Sequence, residues 1–449
     1  MRSKSILKSF VFVSILAALS MSLVSAGTVL GSLTFSNTPL LRPEGDSEPA
    51  ISIAADGTMA ITGLQWLFDP NFFGTHLWTG PFGSTPTFRG LIDASLQKRG
   101  KHVFGSGDAD VDLGSTGTLH ATSLIFLINP VFNNAKVGVS AITCTDTSAS
   151  NCTSQIIDTA GADRQWITSD GTHVYIAYHD SGNSSLIHVQ RSDDDGYTWR
   201  RVGDPIVGQG RTTGNATFNN TAGPIVADPF THNVYTIYTA GEPGIQKGTS
   251  ADFNNVFVSR STDGGKSWTA NLVYHRPLFT SLSNVFPALA ADPVNGKLYA
   301  TWSDAQAVFF SASSDEGAHW SPAATVNIAP ANTAIFPWIA AYNGTVDVVY
   351  YATTAASKDD PTAVWNVYLA QTLTDGASFT QSLVSNTPNH VGVVCTNGIG
   401  CAGGTRNLLD LFEVGINPQN GRAAVIYTDD TITTSSGEPL PQIVLAQQN

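Results

Sequence analysis

Charge is scarce in this 449-residue chain, and basic charge scarcest of all. Charged residues make up 13%, with 22 Lys and Arg against 35 Asp and Glu. The formal net charge of −13 argues against nucleic acid and anionic membranes as partners, because both require a basic surface. Cysteine is nearly absent too: there are 4, in two close pairs, Cys144 with Cys152 and Cys395 with Cys401. Neither pair has C-x2-C spacing or accompanying paired His, which argues against a metal site. Two local loop disulfides in an oxidising compartment are expected instead. No long apolar stretch follows a 3.6-residue period, so a helical fold is disfavoured, and beyond the N-terminus no run is long enough to span a bilayer. What is present is 42% hydrophobic residues with 41 Gly and 22 Pro, the composition of a large turn-rich β protein rather than a disordered one.

The N-terminus reads as a secretory signal. Arg2, Lys4 and Lys8 precede an apolar run from Phe10 to Val24, and Val24-Ser25-Ala26 fits small-x-small cleavage before Gly27. The alternative, a membrane anchor, lacks a charged stop-transfer flank. Residues 1–26 are therefore expected to be a signal peptide. Residues 27–449 are expected to form one secreted, extracytoplasmic domain, not inserted in a membrane and monomeric.

A turn pattern, S-x-D-x-G-x-x-W, recurs at Ser192–Trp199, Ser261–Trp268 and Ser313–Trp320, with a degraded copy at Thr372–Phe379. Asp and Ser bond turn backbone groups, Gly supplies positive φ and the aromatic tucks beneath. A second pattern, two apolar strands about a tight turn, recurs seven times. Its copies are 49–64, 110–124, 165–178, 224–238, 287–302, 337–350 and 412–427, with turns at Gly57, Gly117, Gly171, Asn233, Gly296, Gly344 and Gly421. Such a unit cannot bury both faces alone, so it predicts an all-β fold, a single β-propeller of four-stranded blades. Seven blades are favoured, with six as the alternative. The last unit ends early, and Val29–Phe35 is expected to supply its missing outer strand and close the ring. The Cys144–Cys152 loop replaces the turn motif in the second blade, and Phe68–Gly105 reads as a long insert in the first.

The turn copies resemble the Asp-box, or bacterial neuraminidase repeat, of the sialidase superfamily. That resemblance implies a clamp of three Arg on a substrate carboxylate, a Tyr nucleophile and an Asp acid/base. The chain departs from the family at Leu41-Arg42-Pro43-Glu44, where an Arg-Ile-Pro motif is usual, and in counting seven units rather than six.

In a propeller, loops leading into the innermost strand and out of the second strand share one face. Loops into the innermost strand contribute Glu48, Asp108, Asp110, Asp163, Arg164, Asn284, Arg406 and Asp410. Loops out of the second contribute Trp66, His179, Asp180, Glu242, Asp304, Asp429 and Asp430. Each has a structural alternative: Asp163-Arg164-Gln165-Trp166 as a blade junction, Tyr178-His179-Asp180 as a strand end, Arg406 with Asp410 as a loop brace. No cofactor is expected. Ca²⁺ at Asp108 and Asp110 is the alternative, though two carboxylates are an incomplete ligand set.

Three functions follow. The first is a sialidase-type glycoside hydrolase on carboxylate-bearing glycans, with Arg42, Arg164 and Arg406 as clamp, Trp166 and Asp410 beside it, and Asp108 or Asp180 as acid/base. The second is a polysaccharide lyase in which Arg164 neutralises a uronate and Tyr178 or His179 takes the proton. The third is a non-catalytic glycan-binding or cell-surface module. The expected partner in each is a glycan or polysaccharide.

Overall fold

The structure, a computed structural model, describes residues 24–25, 27–65, 74–98, 103–129, 134–159, 161–180, 186–206, 220–241, 253–277, 280–282, 285–433 and 440–449. Most of the expected leader, together with Trp66, Glu242 and Asn284, lies outside these residues. Seven four-stranded blades form a β-propeller. Among the described residues the only α-helix is Ala94–Lys98. The innermost strands are Asp46–Ile53, Val103–Leu113, Ala162–Asp170, Asn220–Ala227, Ala288–Ala291, Thr333–Tyr342 and Glu413–Ile416. Each turns back on itself through a left-handed residue. This is Gly in six blades (Gly57, Gly117, Gly171, Gly296, Gly344 and Gly421), and His232, not Asn233, in the fourth. Left-handed backbone penalises a Cβ, which is why the turn punctuates the sequence so visibly.

Two expectations from the sequence need correction. The supposed insert Phe68–Gly105 contains the outer half of blade 1, since Thr75–Pro81 and Thr87–Leu91 are its third and fourth strands. The ring is closed by Phe35–Pro39, not by Val29–Phe35. Phe35–Pro39 pairs antiparallel with Val444–Gln448 as the outer strand of blade 7. Asn37 fixes the register by accepting the Tyr427 hydroxyl at 2.7 Å and donating to the Val384 carbonyl at 2.9 Å. The more apolar Val29–Leu30 instead adds in parallel to the edge of blade 6, and Val24–Ser25 to that of blade 5. An outermost strand need bury only one face, so hydropathy was a poor guide to which segment takes the place.

Aromatic burial holds neighbouring blades together. Between blades 6 and 7, Tyr351 and Phe412 pack with centroids 4.1 Å apart beside the fully buried Trp365. One such ring buries ~150–250 Å², or about 4–6 kcal/mol gross at 25 cal/mol per Å². That exceeds the ~1 kcal/mol net of a hydrogen bond, so polar contacts between blades set register more than cohesion.

The turn motifs supply such contacts. In each complete copy the Ser hydroxyl accepts the Gly N–H (2.9 Å for Ser192 and Gly196) and the Trp indole donates to that Gly carbonyl. The residue before this Gly is left-handed and faces the preceding blade's inner hairpin. Asp195 accepts from Thr118 (2.6 Å) and meets His120 (3.1 Å), Glu316 accepts from Asn233 (3.2 Å), and Asp375 accepts from Tyr299 (2.7 Å). Gly264 reverses the direction: its carbonyl accepts Arg191 from the preceding blade at 3.0 Å, and a Cβ there would stand 1.5 Å from that guanidinium. Cys144–Cys152 bridges the third and fourth strands of blade 2, and Cys395–Cys401 closes the second loop.

Candidate functional site

One end of the channel opens into a cavity of about 730 Å³ lined by the loops leading into the innermost strands. The backbone aims side chains into it. Glu48 (φ 45°), Arg164 (φ 54°), Val285 (φ 74°) and Leu409 (φ 55°) are all left-handed and all line the cavity. The first two sit in register shifts of their strands. A bulge with a left-handed residue redirects one side chain out of the sheet at a local cost of ~1–3 kcal/mol. Repetition of that strain at equivalent positions concentrates it at the channel mouth.

Arg164 is the hub. Its guanidinium meets Glu48 at 3.2 Å, Asp108 at 3.1 Å and Asp410, and lies 4.4 Å over the Phe286 ring. Trp166 packs edge-on behind Phe286 at 5.4 Å. Arg406 also grips Asp410, one contact being 3.1 Å, and the Asp410 N–H donates to Glu48 at 2.8 Å. The two arginines thus converge on one carboxylate. Four acids, Glu48, Asp108, Asp163 and Asp410, face two guanidinium groups.

Burial sorts these acids. It pushes the Glu48 carboxyl up to about 8, with Arg164 opposing and Asp108 and Asp410 adding to the rise. Burial, then Asp108, pushes Asp163 up to about 6. Arg164 shows the converse: burial opposes its charge, but Asp108, Glu48, Asp410 and Asp163 outweigh it and hold its pKa well above the ordinary value. Arg164 stays charged, and Glu48 is the acid that yields its charge. Asp163 is half-buried at the cavity wall, and the Arg164 backbone N–H donates to its carboxylate.

His179 lines the cavity and pairs across the strands with Asp163. The other nominated residues lie elsewhere. Arg42 stacks on Phe88 at 3.9 Å and meets Glu44 at 3.3 Å, and it does not line the cavity, so a three-arginine clamp is not assembled. Tyr178 is buried, its hydroxyl donating to Asp158 at 2.5 Å and accepting from Gln190 at 3.0 Å. Asp180 holds His188 at 3.0 Å. Trp166 is buried behind Phe286 rather than exposed to the cavity. Asp304 pairs with Arg276 at 2.5 Å, Asp429 accepts from the Thr431 N–H at 2.8 Å, and Asp430 meets His390 at 2.9 Å.

Asp110, considered with Asp108 for Ca²⁺, accepts the N–H groups of Val111 (2.7 Å) and Ile167 (2.8 Å), stitching blade 2 to blade 3. Glu413 does the same between blades 7 and 1 through the Ile51 N–H at 2.9 Å. Among the described residues no group of three or more His, Cys, Asp or Glu is placed to hold a metal ion.

The sequence reading missed Val285, Phe286 and Leu409, and the wall formed by Leu124, Phe126 and Val137. A search for charge passes over apolar positions. The available signal was positional, since Val285 and Leu409 occupy the loops that carry Glu48 and Arg164 in other blades.

No protein-family model and no curated protein matches the sequence. Similar solved structures include a protein of unknown function from Dyadobacter fermentans DSM 18053, 14% identical over 92% of this chain and 98% of that one, with a TM-score of 0.49. The Penicillium chrysogenum α-L-arabinanase complexed with arabinobiose is 12% identical over 93% and 97%, with a TM-score of 0.43. The intramolecular trans-sialidase from Ruminococcus gnavus in complex with oseltamivir carboxylate is 12% identical over 90% and 94%, with a TM-score of 0.42. At these identities and TM-scores the resemblance assigns no activity to this chain.

Proposed function

We propose that the channel-mouth cavity is the active site of a glycoside hydrolase. The observation that carries this reading is the sorting of carboxylates around Arg164, with one acid half-buried and raised and another paired to a guanidinium. Paired carboxylates in diverging environments are the requirement for acid/base cleavage of a glycosidic bond. Asp163 is assigned as general acid and Asp108 as its carboxylate partner. Asp163 gives its proton to the leaving-group oxygen as the C–O bond breaks. A water oxygen bonds to the sugar carbon, and the proton it sheds passes to Asp108.

A carboxylate-bearing, sialic acid type glycan is the narrower version. Its carboxylate would take the place of Asp410 against Arg164 and Arg406. The lyase reading loses one of its two bases, because Tyr178 is buried with its hydroxyl committed to Asp158, and keeps only His179 at the cavity. The superfamily resemblance of the turn motif supports a sialidase-like scaffold and leaves the chemistry to the cavity. The two disulfides support a place outside the cytosol.

The test is hydrolysis of a panel of chromogenic neutral and sialic acid glycosides. Turnover is expected, falling as pH rises through about 6 because the acid works only while protonated. Asp163→Asn is expected to lower kcat/KM by about 10²–10⁴ and to abolish that limb. No turnover on any member, or an unchanged limb in the variant, would overturn the assignment.

A further inference from the structure

Blade 2 is taller than its neighbours. Its first three strands, Val103–Leu113, Leu119–Asn129 and Asn134–Cys144, each run 11 residues, against 4 to 10 for the other innermost strands. The second and third strands of this blade carry apolar side chains to the cavity. Leu124 and Phe126 stand two residues apart on one face of the second strand, and Val137 lies directly opposite Phe126 on the third. Gly107 leaves that face open, since a Cβ there would lie 2.4 Å from the Leu124 side chain. Together with Leu64 these residues give the cavity an apolar wall without a side-chain donor or acceptor.

The wall adjoins Asp163. The Val137 carbonyl accepts the Gly161 N–H at 3.1 Å, two residues before Asp163, and Gly107 immediately precedes Asp108. A general acid stands beside the leaving-group oxygen, so the surface next to it receives the aglycone. A second sugar there would bury hydroxyls against hydrocarbon without partners, at ~1–3 kcal/mol each. An alkyl or aryl group meets no such penalty.

We propose, on the hydrolase reading of the site, that Leu124, Phe126 and Val137 form an aglycone subsite and that the substrate is a sugar joined to an apolar alkyl or aryl group. Specificity then depends on the aglycone as much as on the sugar.

The test uses the full protein and two ligand series. For the sugar found by hydrolysis screening, kcat/KM of the methyl, butyl and hexyl O-glycosides is expected to rise by about tenfold from methyl to hexyl, as burial of a few methylenes requires. Calorimetric binding of methyl and hexyl thioglucosides and thiogalactosides, which resist hydrolysis, is expected to show the same preference. Phe126→Ser and Val137→Thr, checked for folding by thermal melting, are expected to bring the hexyl-to-methyl ratio to about two or less. Turnover with no chain-length dependence overturns the subsite and leaves the hydrolase standing. Chain-length-dependent thioglycoside binding without turnover of any O-glycoside overturns the hydrolase and keeps the apolar subsite. Equal binding of methyl and hexyl thioglycosides overturns the subsite whatever the turnover.

Discussion

Glu48 joins the chemistry of the cavity to the stability of the ring. Its carboxyl is raised from an ordinary 4.5 to about 8, chiefly by burial, so the folded state holds the proton more tightly than the unfolded chain. That contribution is fully present below about 4.5 and is lost as pH climbs through about 8, each tenfold gain in proton affinity being worth ~1.4 kcal/mol. Asp46, Asp93, Asp110 and Asp347 are raised by burial as well, so stability measured by denaturant titration is expected to fall steeply between pH 5 and 8. Glu48→Gln is expected to flatten that slope by about one proton, and an unchanged slope would show that Glu48 ionises freely in the folded protein. Charge also decided what could be read at this scale. Glu48, Asp108, Asp163, Arg164, Arg406 and Asp410 stand out in a sequence with so few charges, and the repeat register assigns them to one end of the channel. Arg42 stood out equally, and only the Phe88 ring beneath it shows that it serves packing.

At the scale of elements, the tight turns were legible and the strand ends were not. Left-handed backbone selects Gly, and Gly leaves a mark in sequence. The left-handed loop residues Val285 and Leu409 that line the cavity leave none, because their residue types are those of ordinary strands. The turn motifs carry a further role that their pattern does not announce, since its variable fourth position pins one blade to the one before. Asp195 is the strongest case: it bonds Thr118 and meets His120, whose ring is fully buried. Removing its carboxylate leaves His120 Nε2 buried without that partner, beside an Nδ1 that already has none. Asp195→Ala is therefore expected to cost about 1–3 kcal/mol of unfolding free energy. Glu316→Ala, at a half-exposed side chain, is expected to cost under about 1 kcal/mol. Equal costs in chemical denaturation would contradict the view that burial sets the value of each pin.

At the scale of the molecule, everything depends on ring closure. Six blades take their fourth strand from the same stretch of chain as their first three, but blade 7 takes its fourth strand from the opposite end of the chain. Phe35–Pro39 pairs across five positions with Val444–Gln448, Asn37 takes the Tyr427 hydroxyl, and Leu40 is buried in the core between blades 7 and 1. The same blade junction positions Glu48 and Asp410, so closure and cavity share a boundary. Deleting residues 1–34 spares the closing strand: among the described residues it removes the edge additions at Val24–Ser25 and Val29–Leu30 and the contacts of Leu33 and Thr34, and a cooperative thermal transition is expected to survive. Deleting residues 1–40 takes away the closing strand and Leu40. The loss of several hydrogen bonds at ~1 kcal/mol each, with the apolar contact of Leu40, comes to roughly 5 kcal/mol or more. A typical domain has only ~5–15 kcal/mol in total, and the deletion also bares the edge of Gln442–Gln448 to intermolecular pairing. The longer deletion is therefore expected to melt at least about 10 °C lower and to aggregate, as seen by calorimetry and light scattering. If the two truncations melt together, the N-terminal strand is an ornament and the ring is held by its blade interfaces alone.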